Sequence, residues 1–272
     1  MQDAAFSKFM DWTKEDFEEF FKGYTNDTYE KYVDAWNFLS QTGNDHLQGA
    51  VISDEDAIAV LQAQLEKLVK EHSIDSTPFP CEGLDFRGLD LTNLHLENFT
   101  GMTAEQLFSA IKIRGTTLPA IDFTGADFRD RDLQGVNFSK CTNLTAAQLL
   151  SALNINGTTL PSVNFAGANL SGSDLNGVDL SKCTNLTAAQ LLEATSLTNV
   201  KLPAIDFSGA DLTGKRLYGV DFTKCTGLTG IQLSNARGIS EIWLTSEQYE
   251  SMKTDLPSGT TIFVNGDPTE IP

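Results

Sequence analysis

Long apolar runs are missing from this chain of 272 residues. None approaches the roughly 18 consecutive apolar residues that a membrane-spanning helix needs. Histidine is scarce, and His46, His72 and His95 are scattered. None pairs by spacing with a serine, a cysteine or a carboxylate dyad. No C-x-x-C or H-x-x-x-H spacing exists, so no metal site is predicted. No P-loop, dinucleotide fingerprint or nucleophile elbow appears. Positive charge is thin as well: 19 Lys and Arg stand against 37 Asp and Glu, a net of −18. That balance disfavours binding to a phosphate backbone, which needs clustered cations, and to anionic membrane surfaces. The start, MQDAAFSKFMDW, has an early acid and no apolar h-region, which predicts no cleaved secretory signal. The expectation is a protein with no catalytic residues, no cofactor, no metal, no direct nucleic-acid or membrane partner and no small-molecule substrate.

What is present divides unevenly. Residues 1–78 hold 16 acids and 6 Lys, and eleven aromatics crowd the first 38 residues, among them Phe6, Phe9, Trp12, Phe17, Phe20 and Phe21. The remainder carries a different signature, a repeat of 42 residues. Thr117-Leu-Pro-Ala-Ile-Asp-Phe123 returns as Thr159-Leu-Pro-Ser-Val-Asn-Phe165 and as Lys201-Leu-Pro-Ala-Ile-Asp-Phe207. Cys141, Cys183 and Cys225 keep the same step, and Met102 to Gln106 opens a weaker first copy.

Inside each copy lies a period of five. Phe123, Phe128, Leu133 and Phe138 are followed one copy on by Phe165, Leu170, Leu175 and Leu180, and then by Phe207, Leu212, Leu217 and Phe222. A period of five fits neither a helix nor a strand. It fits a chain that turns a corner every five residues, so that four pentads close one coil of a square tube. The Leu or Phe points inward, the Asp or Asn before it points out, and the small residue two before shares the interior. Gly125, Gly167 and Gly209 fall at corners, where a positive φ is cheap only for glycine.

These pentads resemble the A(D/N)Lxx motif of the pentapeptide-repeat family. The resemblance implies a right-handed quadrilateral β-helix, a bacterial source, and no particular activity, because members do unrelated jobs. Only 20 of each 42 residues are clean pentads. The rest contain Thr145-x-x-Gln148, a capping box, followed by Ala and Leu, which favour helix. The box recurs at Thr103/Gln106, Thr187/Gln190 and Thr229/Gln232. A short helix is therefore expected on one side of every second coil. Two coils rise about 9.6 Å, close to helix packing distance. The cysteine column would share that spacing, beyond the roughly 7 Å Cα reach of a disulfide. Cys81 falls in a core column. Four reduced, buried thiols and a reducing compartment follow.

The fold class expected is thus mainly β with α: a pentapeptide-repeat β-helix over 79–240 in four copies, with short inserted helices. An α-helical, aromatic-rich capping domain over 1–78 would precede it. Its helices are expected near Thr13–Tyr24, at about 28–40, and from Ser53 onward with Ile58, Leu61, Leu65, Leu68 and Val69. A C-terminal cap over 241–272 would contain a fifth capping box at Thr245/Gln248 and a strand at Thr260–Val264. Caps shield the open ends of a solenoid from edge pairing.

Arg131 and Lys215 occupy a column that points inward, with Ser173 between them. A buried unpaired charge is very costly, so both are expected to emerge at a bulged corner. With Arg129, Arg216 and Tyr218 they form the candidate interaction patch. The function expected is a non-catalytic scaffold, in a bacterial cytoplasm, that binds another protein. The first alternative is an acidic DNA mimic that binds a type II topoisomerase, although eight coils make a rod of only about 38 Å and Lys140, Lys182 and Lys224 interrupt the acidic face. The second is a bacterial effector secreted into a host cell, or the recognition domain of a larger effector enzyme.

Overall fold

The computed structural model describes residues 78–81 and 86–271, together with the helical positions Gln62, Leu65, Glu66, Val69 and Lys70. The helices expected over 13–24 and 28–40 lie outside the described residues. Of the third, the five positions named above are helical.

From Phe79 onward the chain winds as a four-sided β-helix. Residues in register on neighbouring coils are alternately 22 and 20 apart, as in His95↔Thr117 and Thr117↔Asn137. The 42-residue repeat is therefore two coils of unequal length. The longer one carries the helix. One side holds an unbroken parallel ladder through His95, Thr117, Asn137, Thr159, Asp179, Lys201, Asp221 and Trp243, and then to Phe263.

The pentad reading explains the core. Phe123, Phe128, Leu133 and Phe138 are buried, and so are their equivalents in the next two copies. Phe108, Phe123, Phe128 and Phe138 pack with ring centroids 5.2–6.1 Å apart. The residue two before is buried on two sides only, as Ile121 and Val136 show. Ala126 and Arg131, in the same role on the other sides, are half-buried. Two polar side chains enter the valine column. Thr116 donates to Leu91 O at 2.6 Å and Thr158 to Ile155 O at 2.8 Å, which removes the cost of an unpaired buried hydroxyl.

The outward Asp and Asn have a local task. Each accepts at Oδ1 from the backbone N–H two residues on: Thr124 to Asp122 at 2.8 Å, Ala166 to Asn164 at 2.9 Å, Ser208 to Asp206 at 2.9 Å. These are Asx turns, which Asp and Asn side chains make more strongly than Ser or Thr. The acid ladder is a ladder of corners.

Corners also use left-handed residues. Gly125, Gly167 and Gly209 have φ of 69°, 68° and 70°. A second corner stacks Asn93, Gly115, Gly135, Gly157, Gly177, Asn199 and Gly219, all at positive φ. Here the backbones approach closely, and a Cβ on Gly135 would sit 3.3 Å from Gly115 Cα.

The inserted helices are α1 (Ala104–Ser109), α2 (Ala146–Ser151), α3 (Ala188–Leu192) and α4 (Gly230–Asn235), each with its capping box in place. Each begins after the chain leaves the ladder. At α2, Thr142 still pairs with Asp122, and Asn143 then turns out at φ 57°. Leu149 comes back in to fill the interior, fully buried, as do Leu107, Leu191 and Leu233.

Both ends of the tube are covered. On the N-terminal side Gln62 uses its amide as a strand would: Nε2 donates to Asp90 O and Oε1 accepts from Asp90 N–H, both at 2.8 Å. Leu65 and Val69 pack into the core beside it. The tube's first coils are joined by β1 (Phe79–Pro80) and β2 (Phe99–Thr100), which pair in parallel. At the other end β3 (Trp243–Leu244) pairs in parallel with β4 (Thr261–Val264), which pairs antiparallel with β5 (Asp267–Glu270). Asn265-Gly266 makes the hairpin turn, with both φ values positive, as a type I′ turn requires. The outer strand carries Asp267, Pro268 and Glu270, residues that discourage further pairing. Between β3 and β4 lies α5 (Ser246–Met252), with the fifth capping box. It packs on α4 so closely that a Cβ on Gly230 would meet Met252 O at 2.7 Å.

Candidate functional site

The helix-bearing side is where this tube departs from a plain ladder. The repeated glutamine does two jobs there. Gln148 Oε1 accepts from Thr145 N–H at 2.9 Å and completes the capping box. Its Nε2 donates to Phe123 O at 2.8 Å and to Ala126 O at 2.9 Å. Those carbonyls belong to the preceding coil and face a helix instead of a strand. Gln190 and Gln232 repeat both contacts on Phe165/Ala168 and Phe207/Ala210. Gln106 reaches Cys81 O at 2.9 Å, and Gln248 reaches Phe222 O and Cys225 O. The glutamine side chain replaces the ladder that the helix interrupts.

The candidate cations serve the same side. Arg131 is half-buried and does not emerge at a bulge. Its NH1 donates to Phe108 O at 2.8 Å, and the guanidinium lies 4.9 Å from the centroid of the Phe108 ring. Lys215 Nζ donates to Leu192 O. Both carbonyls are in the last turn of a helix, α1 and α3 respectively, where carbonyls lack intrahelical partners and the dipole favours a cation. The expectation of an extruded charge is corrected: the charge stays because the end of a helix satisfies it. Ser173, between them in the column, is too short to reach its helix.

Arg129 and Tyr218 remain at the surface. Arg129 Nε is 2.9 and 3.0 Å from the two oxygens of Asp127; its hydrogen bonds hold that carboxyl at a pKa of about 2. A hydrogen bond with Glu241 raises the pKa of the Tyr218 phenol. Arg216 is exposed. Arg131 and Lys215 are 84 positions apart, which is four coils or about 19 Å along the axis. The five residues therefore fall in two groups, not one patch.

The site that the sequence pattern missed is apolar. Ile111 and Leu153 are 63% and 73% exposed and occupy the same position of successive copies. Half-buried Phe108, Leu150 and Leu192 lie beside them on the helices. A groove of about 290 Å³ opens at the end of α1, lined by Phe108, Ile111, Lys112, Arg114, Arg131 and Asp132 among others. Lys112 is 2.9 Å from Asp90, and Arg114 is 3.3 Å from Asp132. Within α1, α2 and α3 the only charged residue is Glu105. The signal was present in the alignment of Ile111 with Leu153, but a helix start gives no hint of which apolar residue after it stays in water.

All four cysteines are buried, and Cys141, Cys183 and Cys225 form no disulfide. Burial pushes the thiols of Cys141 and Cys183 up to about 11 and that of Cys225 to about 12. Among the described residues no cluster of His, Cys, Asp or Glu forms a metal site. Nor, among them, is any helix long and apolar enough to cross a membrane.

The fold and the side just described define a class: repeat proteins whose coils stack into a four-sided β-helix. The sequence profile described as pentapeptide repeats matches residues 108–142, 149–184, 185–226 and 204–237, with eight copies. The repeat region of the chain belongs to the pentapeptide-repeat family. A comparison with curated proteins finds none that matches.

Proposed function

We propose that the chain is a non-catalytic scaffold whose helix-bearing side docks another protein. The observation that carries this reading is the pair Ile111 and Leu153, large side chains left in water on a rigid frame. Their spacing of two coils, about 9.6 Å, is held by ladders on the neighbouring sides. Apolar anchors of this kind, rimmed by polar groups, mark interaction surfaces. Arg131 and Lys215 act as supports in this reading, with Arg131 at the edge of the surface, while Arg129, Arg216 and Tyr218 are exposed side chains.

The DNA-mimic reading ranks lower. The outward acids are engaged in Asx turns, Asn replaces Asp at several steps, and Lys112, Arg114 and Lys201 sit beside Asp90, Asp132 and Asp179. A mimic would need a continuous anionic surface. The unbridged thiols of Cys141, Cys183 and Cys225 support a reducing compartment, such as the bacterial cytoplasm.

The test is affinity capture with the full chain and with an Ile111→Asp/Leu153→Asp variant, from bacterial and eukaryotic lysates in parallel. A partner held by the first and lost by the second supports docking on this side. Identical partners on both baits refute it. Capture of topoisomerase subunits by both, with inhibition of supercoiling, would establish mimicry. Partners from the eukaryotic lysate alone would favour an effector.

A further inference from the structure

We propose that Asn265 is a self-modification site. Its side-chain amide converts to a carboxylate, as aspartate and isoaspartate, ahead of the two other Asn-Gly pairs of the chain. The isoaspartate form loosens the cap at the C-terminal end of the tube. The inference is independent of the docking surface.

The chemistry needs only the chain and water. Where glycine follows asparagine, no Cβ hinders the approach of the glycine backbone nitrogen to the asparagine Cγ. The nitrogen attacks Cγ and a new N–C bond forms. The Cγ–Nδ2 bond breaks, and Nδ2 leaves as ammonia with the backbone proton. Water then opens the five-membered imide at either carbonyl. One opening gives aspartate. The other routes the backbone through the side chain and gives isoaspartate.

Three pairs occur: Asn156-Gly157, Asn176-Gly177 and Asn265-Gly266. The attack requires the peptide between the two residues to swing about the asparagine ψ, so the hydrogen bonds on that peptide decide which pair reacts. In the tube both peptides are held at both ends. Gly157 N–H donates to Asn176 O and Asn156 O accepts from Gly135 N–H, each at 2.8 Å. Gly177 N–H donates to Thr198 O at 2.8 Å, and Asn176 O accepts from Gly157. The corners are also packed: a Cβ on Gly177 would sit 3.3 Å from Gly157 Cα, and one on Gly157 3.7 Å from Gly135 Cα. The 265–266 peptide is different. Among the described residues neither Gly266 N–H nor Asn265 O has a backbone partner. Both residues are exposed, and a Cβ on Gly266 would meet nothing closer than the Trp243 ring at 3.9 Å.

The side chain is placed for the step as well. Asn265 Oδ1 accepts from Ser246 N–H at 3.3 Å, and Nδ2 donates to Ser246 Oγ at 2.7 Å. The donor on Oδ1 draws electron density from Cγ, the atom attacked, and steadies the amide while the peptide swings.

The two products differ in what they do to the cap. Aspartate keeps the backbone length and still accepts from Ser246 N–H. Isoaspartate adds a methylene to the backbone of a two-residue turn, whose geometry sets the register of β4 on β5. The contacts nearest the turn are Val264↔Asp267 and the bond from Asn265 N–H to Leu244 O at 3.0 Å. Next to them Phe263 stacks on Trp243, with ring centroids 4.6 Å apart.

The experiment ages the full chain at neutral pH and physiological temperature, with a parallel sample in urea, and maps the peptides by mass spectrometry. In the folded chain Asn265 should convert at least tenfold faster than Asn156 or Asn176. In urea, where no peptide is held, the three rates should fall within threefold. Equal rates in the folded chain, faster conversion at Asn156 or Asn176, or no conversion at Asn265 while the urea sample converts would overturn the proposal. Hydrogen exchange over 261–270 should be at least fivefold faster in the chromatographically resolved isoaspartate fraction. Freshly prepared Asn265→Asp should keep the exchange of the parent, because its backbone is not lengthened. Unchanged exchange in the isoaspartate fraction, or equal acceleration by Asn265→Asp, would overturn the loosening of the cap.

Discussion

The glutamine of each inserted helix gives the sharpest test of how the tube holds together. Consider Gln148→Glu. A glutamate at this position of the helix still accepts from Thr145 N–H, so the capping box survives. What disappears is the Nε2 donor. Two hydrogen bonds, to Phe123 O at 2.8 Å and Ala126 O at 2.9 Å, are lost together. At 0.5–1.5 kcal/mol each, that is about 1–3 kcal/mol. A carboxylate oxygen then faces two carbonyls, which moves the cost to the upper end, about 3 kcal/mol. Thr145→Ala is the complementary change. It removes the hydroxyl that accepts from Gln148 N–H and keeps the bridge, at about 1 kcal/mol.

The assay is urea unfolding at pH 7 and again at pH 4, with hydrogen exchange to report whether α2 opens alone. Repeat proteins can lose cooperativity, so local opening must be separated from global unfolding. The introduced carboxyl has its folded pKa raised above the ordinary value of about 4.3, because carbonyl neighbours disfavour its charged form. It is therefore tolerated below its unfolded pKa, where the protonated acid again donates one bond. Stability is lost as pH rises through the folded pKa. Part of the deficit should be recovered at pH 4. A cost under about 0.5 kcal/mol at pH 7, or no recovery at pH 4, would refute the idea that glutamine substitutes for the missing ladder.

Gly230→Ala should destabilise by about 1–3 kcal/mol in urea melts, although Ala fills this place in α1, α2 and α3 and is intrinsically the better helix former. Thr158→Val should stay within about 0.5 kcal/mol of the parent, because Val178 and Val200 occupy the same column; a larger loss would show that the hydroxyl holds the corner. Gly135→Asn should be far milder than Gly135→Val, since Asn93 and Asn199 adopt this left-handed turn in the same stack; comparable thermal midpoints would refute the turn argument. Burial raises the folded pKa of Cys141, Cys183 and Cys225 to about 11, 11 and 12, so their contribution is present below the unfolded value and is lost as pH climbs through that range. The melting temperature should fall between about pH 9 and 11, less so in a triple Cys→Ala variant, and thiol reagents at about pH 8 should react only on unfolding.

The tube was legible because its period is incompatible with anything else. Phe123, Phe128, Leu133 and Phe138 at five-residue steps exclude helix and strand together, and Thr145-x-x-Gln148 marks a helix start on its own. The thiols were legible from the spacing of Cys141, Cys183 and Cys225. The fate of Arg131 was not. A pattern of columns places its Cα inward but says nothing of the carbonyl of Phe108, 23 residues earlier, that satisfies it. The same holds for the reach of Gln148 to Phe123 O and Ala126 O: the capping box is a local signal, whereas the second half of the amide acts between coils. Gly230 is the plainest case. Within its own copy it reads as a weaker version of Ala188. Its reason lies in Met252, on a helix that breaks the repeat to close the tube. A repeat sequence therefore exposes what every copy shares and conceals what one copy does for its neighbours. The candidate surface belongs to the second kind. Ile111 and Leu153 share a position that becomes Thr195 and Arg237 in the next two copies, so at this position the exposed apolar side chains are confined to the first two copies.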